Sequence, residues 1–286
     1  MKVAVIGSNG QLGSDLVNEF TLCGFEVVPL THSDLNVEDI DSVRSVLMDL
    51  YPDFILNTAA FHVVPKCEED PTKAFQVNAI GALNLAKISD ELKAVNIYYS
   101  TDYVFDGKKM APYFESDNPN PLNIYATTKL LGEYYTLNYS QKGIVLRVSG
   151  IYGEVPCRAK GGNFITTMIK AAKEKPEVKV VDDEILTPTP TQSIAKKTID
   201  ILQMNPTGLF HLTCEGQCSW YEFAEVIFRT LNLTTPLISI SVKDLPMTVK
   251  RPTYSVLENQ SAKKLGISNM PYWKDALISF LNQNYK

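Results

Sequence analysis

Short apolar runs alternate with helix-period segments through the first half of the chain. Residues 3–6, 26–30, 54–59, 96–99 and 144–148 are rich in Val, Ile, Leu and aromatic side chains and read as buried strands. Between them, apolar residues recur every three or four positions near 12–22, 39–50, 71–92 and 122–139, the period of helices that bury one face. Strand and helix alternating at this spacing imply βαβ units and therefore an α/β fold, a doubly wound parallel sheet covered on both faces.

The rhythm changes after about residue 153. Gly161-Gly162 precede a helix near 163–173, and 178–181 reads as a strand. Thr187-Pro188-Thr189-Pro190-Thr191 reads as a rigid turn capping a helix from about Gln192. A strand at 209–212, a helix from Ser219-Trp220 to about Leu231 and a closing helix at 273–281 follow, with Trp220 and Trp273 expected in the core. The pattern divides the chain into a first domain, 1–153 plus about 178–207, and a smaller C-terminal lobe, about 154–177 plus 208–286.

Composition narrows the class. With 27 Lys+Arg against 32 Asp+Glu, a net charge of −5 and no dense basic run, the chain lacks the footprint of a nucleic-acid binder. The apolar start is too short for a signal segment, and no stretch approaches the ~20 apolar residues of a membrane span. Five scattered cysteines, an odd number, suit a reducing compartment, so a cytoplasmic protein is expected. Cys214 and Cys218 flank a turn, but with three His in the chain they read as incidental thiols, and no metal site is expected.

The first strand runs directly into Gly7-Ser8-Asn9-Gly10-Gln11-Leu12-Gly13, which opens the first helix. Glycines at the first, fourth and seventh places permit a tight turn, a close approach of backbone to a diphosphate, and helix packing on the strand. The helix N-terminus supplies amide donors and a partial positive charge. The position makes this a dinucleotide-binding loop and the sheet a Rossmann-type one. After the second strand, Leu30-Thr31-His32-Ser33-Asp34-Leu35 presents no acid for a ribose diol and no Arg for a 2′-phosphate at the strand tip, so NAD and NADP both remain open. Asp34 either caps the next turn or approaches the adenine end.

Tyr125 and Lys129 stand four apart, on one face of the fourth helix. A phenol with an ordinary pKa near 10 exchanges its proton poorly at neutral pH, and a fixed ammonium nearby is expected to lower it. At ~4 Å and an effective dielectric of ~20, that attraction is ~4 kcal/mol, enough to poise a general acid. The fourth strand ends at Ser100-Thr101-Asp102-Tyr103, where such sheets present ligand groups, and a hydroxyl there can hydrogen-bond a carbonyl oxygen.

With these features in this order, the chain resembles the extended short-chain dehydrogenase/reductase superfamily. Within it, Asn57-Thr58-Ala59-Ala60, Ser100-Thr101-Asp102-Tyr103-Val104-Phe105-Asp106-Gly107, Tyr125-Ala126-Thr127-Thr128-Lys129-Leu130-Leu131-Gly132-Glu133 and Arg147-Val148-Ser149-Gly150-Ile151-Tyr152-Gly153 resemble the dTDP-4-dehydrorhamnose reductase family along nearly the whole chain. The resemblance implies NAD(P)H-dependent reduction of the C4 ketone of a nucleotide-linked deoxy sugar. It implies Tyr125 as proton donor, Lys129 holding the nicotinamide ribose and tuning Tyr125, and Thr101 orienting the substrate carbonyl. Gly7, Asn9, Gly10, Gln11, Leu12 and Gly13 would form the diphosphate loop, Asp34 and Leu35 the adenine side, and Ala59, Ala60 and His62 the ribose and nicotinamide path, with Asn78 nearby. Asp102 and Tyr103 would meet the sugar. In the lobe, Arg158, Lys160, Asn163 and Arg251 are the polar candidates for the nucleotide diphosphate.

Two positions depart from the family pattern: Gly150 stands where a Trp is usual, and Pro65 where an Asp is usual, both beside the substrate. Two other readings stay open on sequence. One is a cofactor-binding regulatory subunit without turnover, like the β subunit of methionine adenosyltransferase. The other is an extended-type epimerase or dehydratase on the same substrate class. A homodimer is a common assembly for such folds.

Overall fold

In chain order the first half runs β1 (Lys2–Ile6), α1 (Gln11–Leu22), β2 (Glu26–Leu30), α2 (Ile40–Leu50), β3 (Phe54–Asn57), α3 (Val64–Glu69), α4 (Pro71–Phe75), α5 (Gly81–Leu92), β4 (Val95–Thr101), α6 (Ile124–Tyr139) and β5 (Gly143–Val148). The second half runs β6 (Ile151–Tyr152), α7 (Phe164–Glu174), β7 (Val178–Val181), β8 (Ile185–Leu186), β9 (Thr189–Pro190), α8 (Thr191–Gln203), β10 (Gly208–His211), β11 (Cys218–Ser219), α9 (Trp220–Thr230), β12 (Leu237–Ile240), α10 (Gln260–Lys264) and α11 (Trp273–Tyr285). This computed structural model describes residues 1–286 except Arg158, Lys160, Met247, Thr248, Ser268, Asn269 and Lys286. Among the described residues no helix is long and apolar enough to cross a membrane.

Six strands form one parallel sheet in the order β2-β1-β3-β4-β5-β10. Because successive side chains point to opposite faces, β1 sends Val3 and Val5 to one layer and Ala4 and Ile6 to the other. Leu16 and Phe20 of α1 and Ile194 and Ile199 of α8 pack on the first; Val43 and Leu47 of α2 and Leu85 and Ile88 of α5 pack on the second. A fully buried side chain of this kind contributes about 1.5–3 kcal/mol over leaving it exposed. The strand order reverses between β1 and β3, so the crevice beyond their carboxyl ends is where this fold takes a ligand.

Several boundaries differ from the sequence expectation. The strand expected over 54–59 stops at Asn57, whose side chain takes the Ala59 amide at 3.1 Å while the Thr58 hydroxyl turns to the Ile6 carbonyl at 2.7 Å. The single helix expected over 71–92 is α4, a π-turn at Gln76–Ile80, and α5. α3 has no counterpart in the expected helices; Pro65 sits in its first turn, where a missing N–H costs nothing. Thr189–Pro190 is a short strand paired with β6 rather than part of a turn, and Thr191 already belongs to α8.

Two strands pair across the expected domain division. Val178–Val181 pairs with Leu237–Ile240 outside the main sheet, whereas Gly208–His211 adds to the main sheet beside β5. Pairing partners distant in sequence decide both, and periodicity within a single segment does not reveal them.

Candidate active site

At the end of β1, the amides of Gly7 and Ser8 donate to the Leu30 carbonyl at 2.9 and 3.1 Å, which turns the chain into the glycine loop. Gly7 is left-handed at φ +77, and a Cβ on it would lie 2.8 Å from Thr58 Oγ1. On Gly13 a Cβ would lie 2.3 Å from the Gly7 carbonyl oxygen, so only glycine lets α1 start this close to the strand. α1 has no side-chain cap at Gly10 and no acid in its first turn, and the buried Gln11 Oε1 has no partner. Loop amides and a bare helix N-terminus fit the diphosphate of a dinucleotide.

At the adenine end, Asp34 serves as a cap. Its carboxylate accepts from Thr31 N at 2.8 Å and Thr31 Oγ1 at 2.6 Å, and these bonds hold it below the usual carboxylate range. Leu35 is buried in the core beneath β2, so its side chain does not face the crevice. Asn9 is exposed on the loop, and Ala59 and Ala60 are half-buried in the segment that follows β3. His62 approaches the Ala60 carbonyl through Nδ1 at 3.2 Å and Cys157 Sγ through Nε2 at 3.1 Å.

Asn78, 1% exposed in the π-turn, ties this path to α6. It accepts from Phe61 N at 2.8 Å and donates to the Phe61 carbonyl at 2.9 Å and to Thr128 Oγ1 at 3.0 Å. The helix start is fixed from two sides: Asn123 caps Ala126, and Glu68 of α3 accepts from Ile124 N at 2.8 Å. Tyr125, Thr128 and Lys129 are thereby held against the strand ends.

The Tyr125 hydroxyl is in hydrogen-bond contact with Thr101, which the extended end of β4 presents. Burial raises the Tyr125 phenol above its ordinary pKa; the Thr101 bond pulls it back and the Asp102 carboxylate pushes it further up. Lys129, expected to lower it, donates instead to the Tyr99 carbonyl at 2.6 Å, with its ammonium 3.9 Å from the centre of the Tyr98 ring. Burial lowers the Lys129 pKa to about 7, against the pull of Glu133. Burial outweighs the expected tuning of Tyr125 by Lys129.

Asp102 and Asn163, both expected at the substrate, are engaged by groups of the protein itself, and the space beside Gly150 is filled. Asp102 is 3% exposed and accepts from Ser149 Oγ at 2.8 Å, Ser255 Oγ at 2.5 Å and Thr101 Oγ1 at 3.1 Å, so it braces the strand end rather than facing a sugar. Asn163 caps α7 through Thr166 and donates to the Gly153 carbonyl at 3.0 Å, so both ends of its amide are engaged within the protein. Gly150 does not leave a gap: it is left-handed at φ +52, and a Cβ there would lie 2.7 Å from Leu186 Cδ1 and 3.1 Å from Pro188 Cα. Arg158 and Lys160 lie outside the described residues.

Tyr103, whose ring meets Tyr125 edge-on at 6.3 Å, feels the charge of Asp102 first and then those of Arg251 and Glu184. The last two line a cavity of about 370 Å³ in the C-terminal lobe together with Lys179, Phe164 and Trp220. Phe164 and Trp220 lie 4.6 Å apart at 32°, and Trp220 hydrogen-bonds Glu184. An aromatic wall with one Arg and one Lys suits a base and phosphate. Sequence reading placed Trp220 in the core and passed over Phe164, Lys179 and Glu184. An aromatic at the very start of each of two amphipathic helices, beside their caps, was the available signal. Trp273 is buried, as expected.

The RmlD substrate binding domain family matches residues 1–286. The spore coat polysaccharide biosynthesis protein SpsK of Bacillus subtilis is 37% identical, covering 99% of this chain and 97% of its own. A dTDP-4-dehydrorhamnose reductase of Burkholderia thailandensis is 33% identical, covering 97% of each. Among solved structures, a dTDP-4-dehydrorhamnose reductase of Bacillus anthracis in complex with NADP superposes with a TM-score of 0.94 at 33% identity, covering 99% of both chains. A UDP-glucose 4-epimerase of Thermotoga maritima, at a TM-score of 0.83 and 16% identity over 100% of both chains, shares the fold.

Proposed function

Because this chain belongs to the RmlD substrate binding domain family, we propose that it is an NADPH-dependent reductase of the C4 ketone of a dTDP-linked 6-deoxy sugar, acting in nucleotide-sugar biosynthesis in the cytosol. Relatives named dTDP-4-dehydrorhamnose reductase and dTDP-4-keto-6-deoxy-D-glucose reductase, and a neighbour bound to NADP, support that reading. The observation that carries it is the contact between the Tyr125 hydroxyl and Thr101 at the carboxyl end of β4, the end of the sheet that also holds the glycine loop.

The glycine loop and the first turn of α1 would hold the diphosphate, and Lys129 the nicotinamide ribose. NADP is preferred because a structural neighbour at 33% identity holds NADP and no acid other than the capping Asp34 stands near the β2 tip. Bound NADPH supplies the hydride that goes to C4. Thr101 orients the ketone oxygen, and Tyr125 gives it a proton as the alcohol forms, so that ketone, NADPH and a proton become alcohol and NADP. The raised pKa keeps Tyr125 protonated at neutral pH, the form a proton donor requires. The lobe cavity with Arg251, Lys179, Phe164 and Trp220 would receive the nucleotide.

The test incubates the purified chain with NADPH and dTDP-4-dehydrorhamnose, following nicotinamide absorbance and identifying the product. Stoichiometric oxidation to the 4-hydroxy sugar supports the proposal; interconversion of the sugar without net NADPH loss points to an epimerase, and tight NADPH binding without turnover to a regulatory subunit. Light scattering on the same preparation checks the homodimer.

A further inference from the structure

Glu133 lies one turn beyond Lys129 on α6 and is 3% exposed. Its carboxylate accepts from Ser100 Oγ at 2.5 Å, from Arg147 Nε at 2.8 Å and from Arg147 Nη2 at 2.6 Å. These donors belong to β4 and β5, and Ser100 directly precedes Thr101. Between Lys129 and Glu133, Gly132 lets the helix settle on the Tyr98 phenol; a Cβ there would lie 2.3 Å from the Tyr98 hydroxyl oxygen. A buried ion pair adds little net stability over apolar residues of the same volume, so stability alone does not account for this one.

We propose, building on the reductase reading above, that Glu133 is a positioning residue for Lys129: held to the strand ends by Ser100 and Arg147, it fixes the helix face that carries the ammonium and keeps that ammonium charged. Burial drives the Lys129 pKa down to about 7, and Glu133 is the carboxylate that opposes it. The other groups around the ammonium are the Tyr98 ring and Tyr99 carbonyl of β4 and Tyr125 of its own helix, and burial keeps all three phenols above their ordinary pKa. Behind Glu133 stand Arg147 of β5 and His211 of β10, the latter lowered to about 3 by burial and by Arg147. With Glu133 neutralised, no carboxylate in this set offsets the cost of burying the Lys129 charge; only the Tyr99 carbonyl and the Tyr98 ring still favour it, and the Lys129 pKa falls below about 7.

The experiment titrates the cofactor-free full chain labelled with ¹³C-lysine and follows the Lys129 Cε resonance, assigned by its loss in Lys129→Arg. The wild-type midpoint is expected near 7. In Glu133→Gln it is expected to fall by about one pH unit or more, roughly tenfold in proton affinity, with Glu133→Asp in between. Because Glu133→Gln strands the Arg147 charge, the double variant Glu133→Gln/Arg147→Met is titrated as well. A midpoint unchanged in folded variants overturns the inference. In active enzyme the alkaline limb of kcat/KM moves down with the midpoint. Wild type that turns over no keto sugar, yet shows the midpoint shift, sinks the reductase reading and leaves this one standing.

Discussion

Leu186 occupies the space that any side chain at position 150 would enter: a Cβ on Gly150 would sit 2.7 Å from Leu186 Cδ1, with Pro188 Cα at 3.1 Å behind it. A side chain at position 150 would therefore compete with this leucine of β8, and the two positions form one packing unit. Gly150→Trp alone is expected to lower stability by about 1–3 kcal/mol through overpacking, with the left-handed φ adding to it. Leu186→Ala in the same chain is expected to recover part of that loss. Denaturant melts of the two single variants and the double give the coupling; strict additivity would refute it.

Gly13→Ala places a methyl against backbone, 2.3 Å from the Gly7 carbonyl oxygen, where no side chain can rotate away. The expected result is a loss of about 1–3 kcal/mol in stability and at least a tenfold weaker NADPH affinity, measured by nucleotide fluorescence. Unchanged affinity would detach the loop from the cofactor.

Asn163→Ala separates a cap from a phosphate ligand. Losing the capping box and the bond to Gly153 is expected to cost about 0.5–2 kcal/mol. The KM for nucleotide sugar is expected to stay within twofold of wild type. A large rise in KM with an unchanged melt would restore Asn163 to the substrate site.

His211 ties acid stability to the buried network. Burial, reinforced by Arg147, lowers its pKa to about 3, so the native state holds the ring neutral where the unfolded chain, at about 6.5, takes up a proton. Its contribution is full above about pH 6.5 and is lost as pH falls toward 3, up to about 5 kcal/mol across that window. In His211→Gln the acid limb of unfolding free energy is expected to flatten between those values, as read from urea melts at a series of pH.

The glycine loop, the βαβ rhythm and the Tyr125/Lys129 face were legible in the sequence because each depends on local spacing. Asp102, Asn163 and Glu133 were not. The first takes a hydroxyl from Ser255, 153 positions away, the second spends its amide on Gly153, and the third answers to strands on either side of its helix. The π-turn at Gln76–Ile80 escaped notice for a similar reason, since it goes with Asn78 bonding to Phe61 and Thr128 rather than with any break in periodicity. The pairing of Val178–Val181 with Leu237–Ile240 joins two segments that separately look like ordinary strands.

The most direct measurement compares wild type with Tyr125→Phe for NADPH affinity and for turnover of dTDP-4-dehydrorhamnose at neutral pH. The expected result is a fall in kcat of about 10²–10⁴-fold, the worth of a positioned acid, with NADPH affinity unchanged. Turnover retained to within a few fold would contradict Tyr125 as the proton donor and, with it, the site built on Thr101, Tyr125 and Lys129.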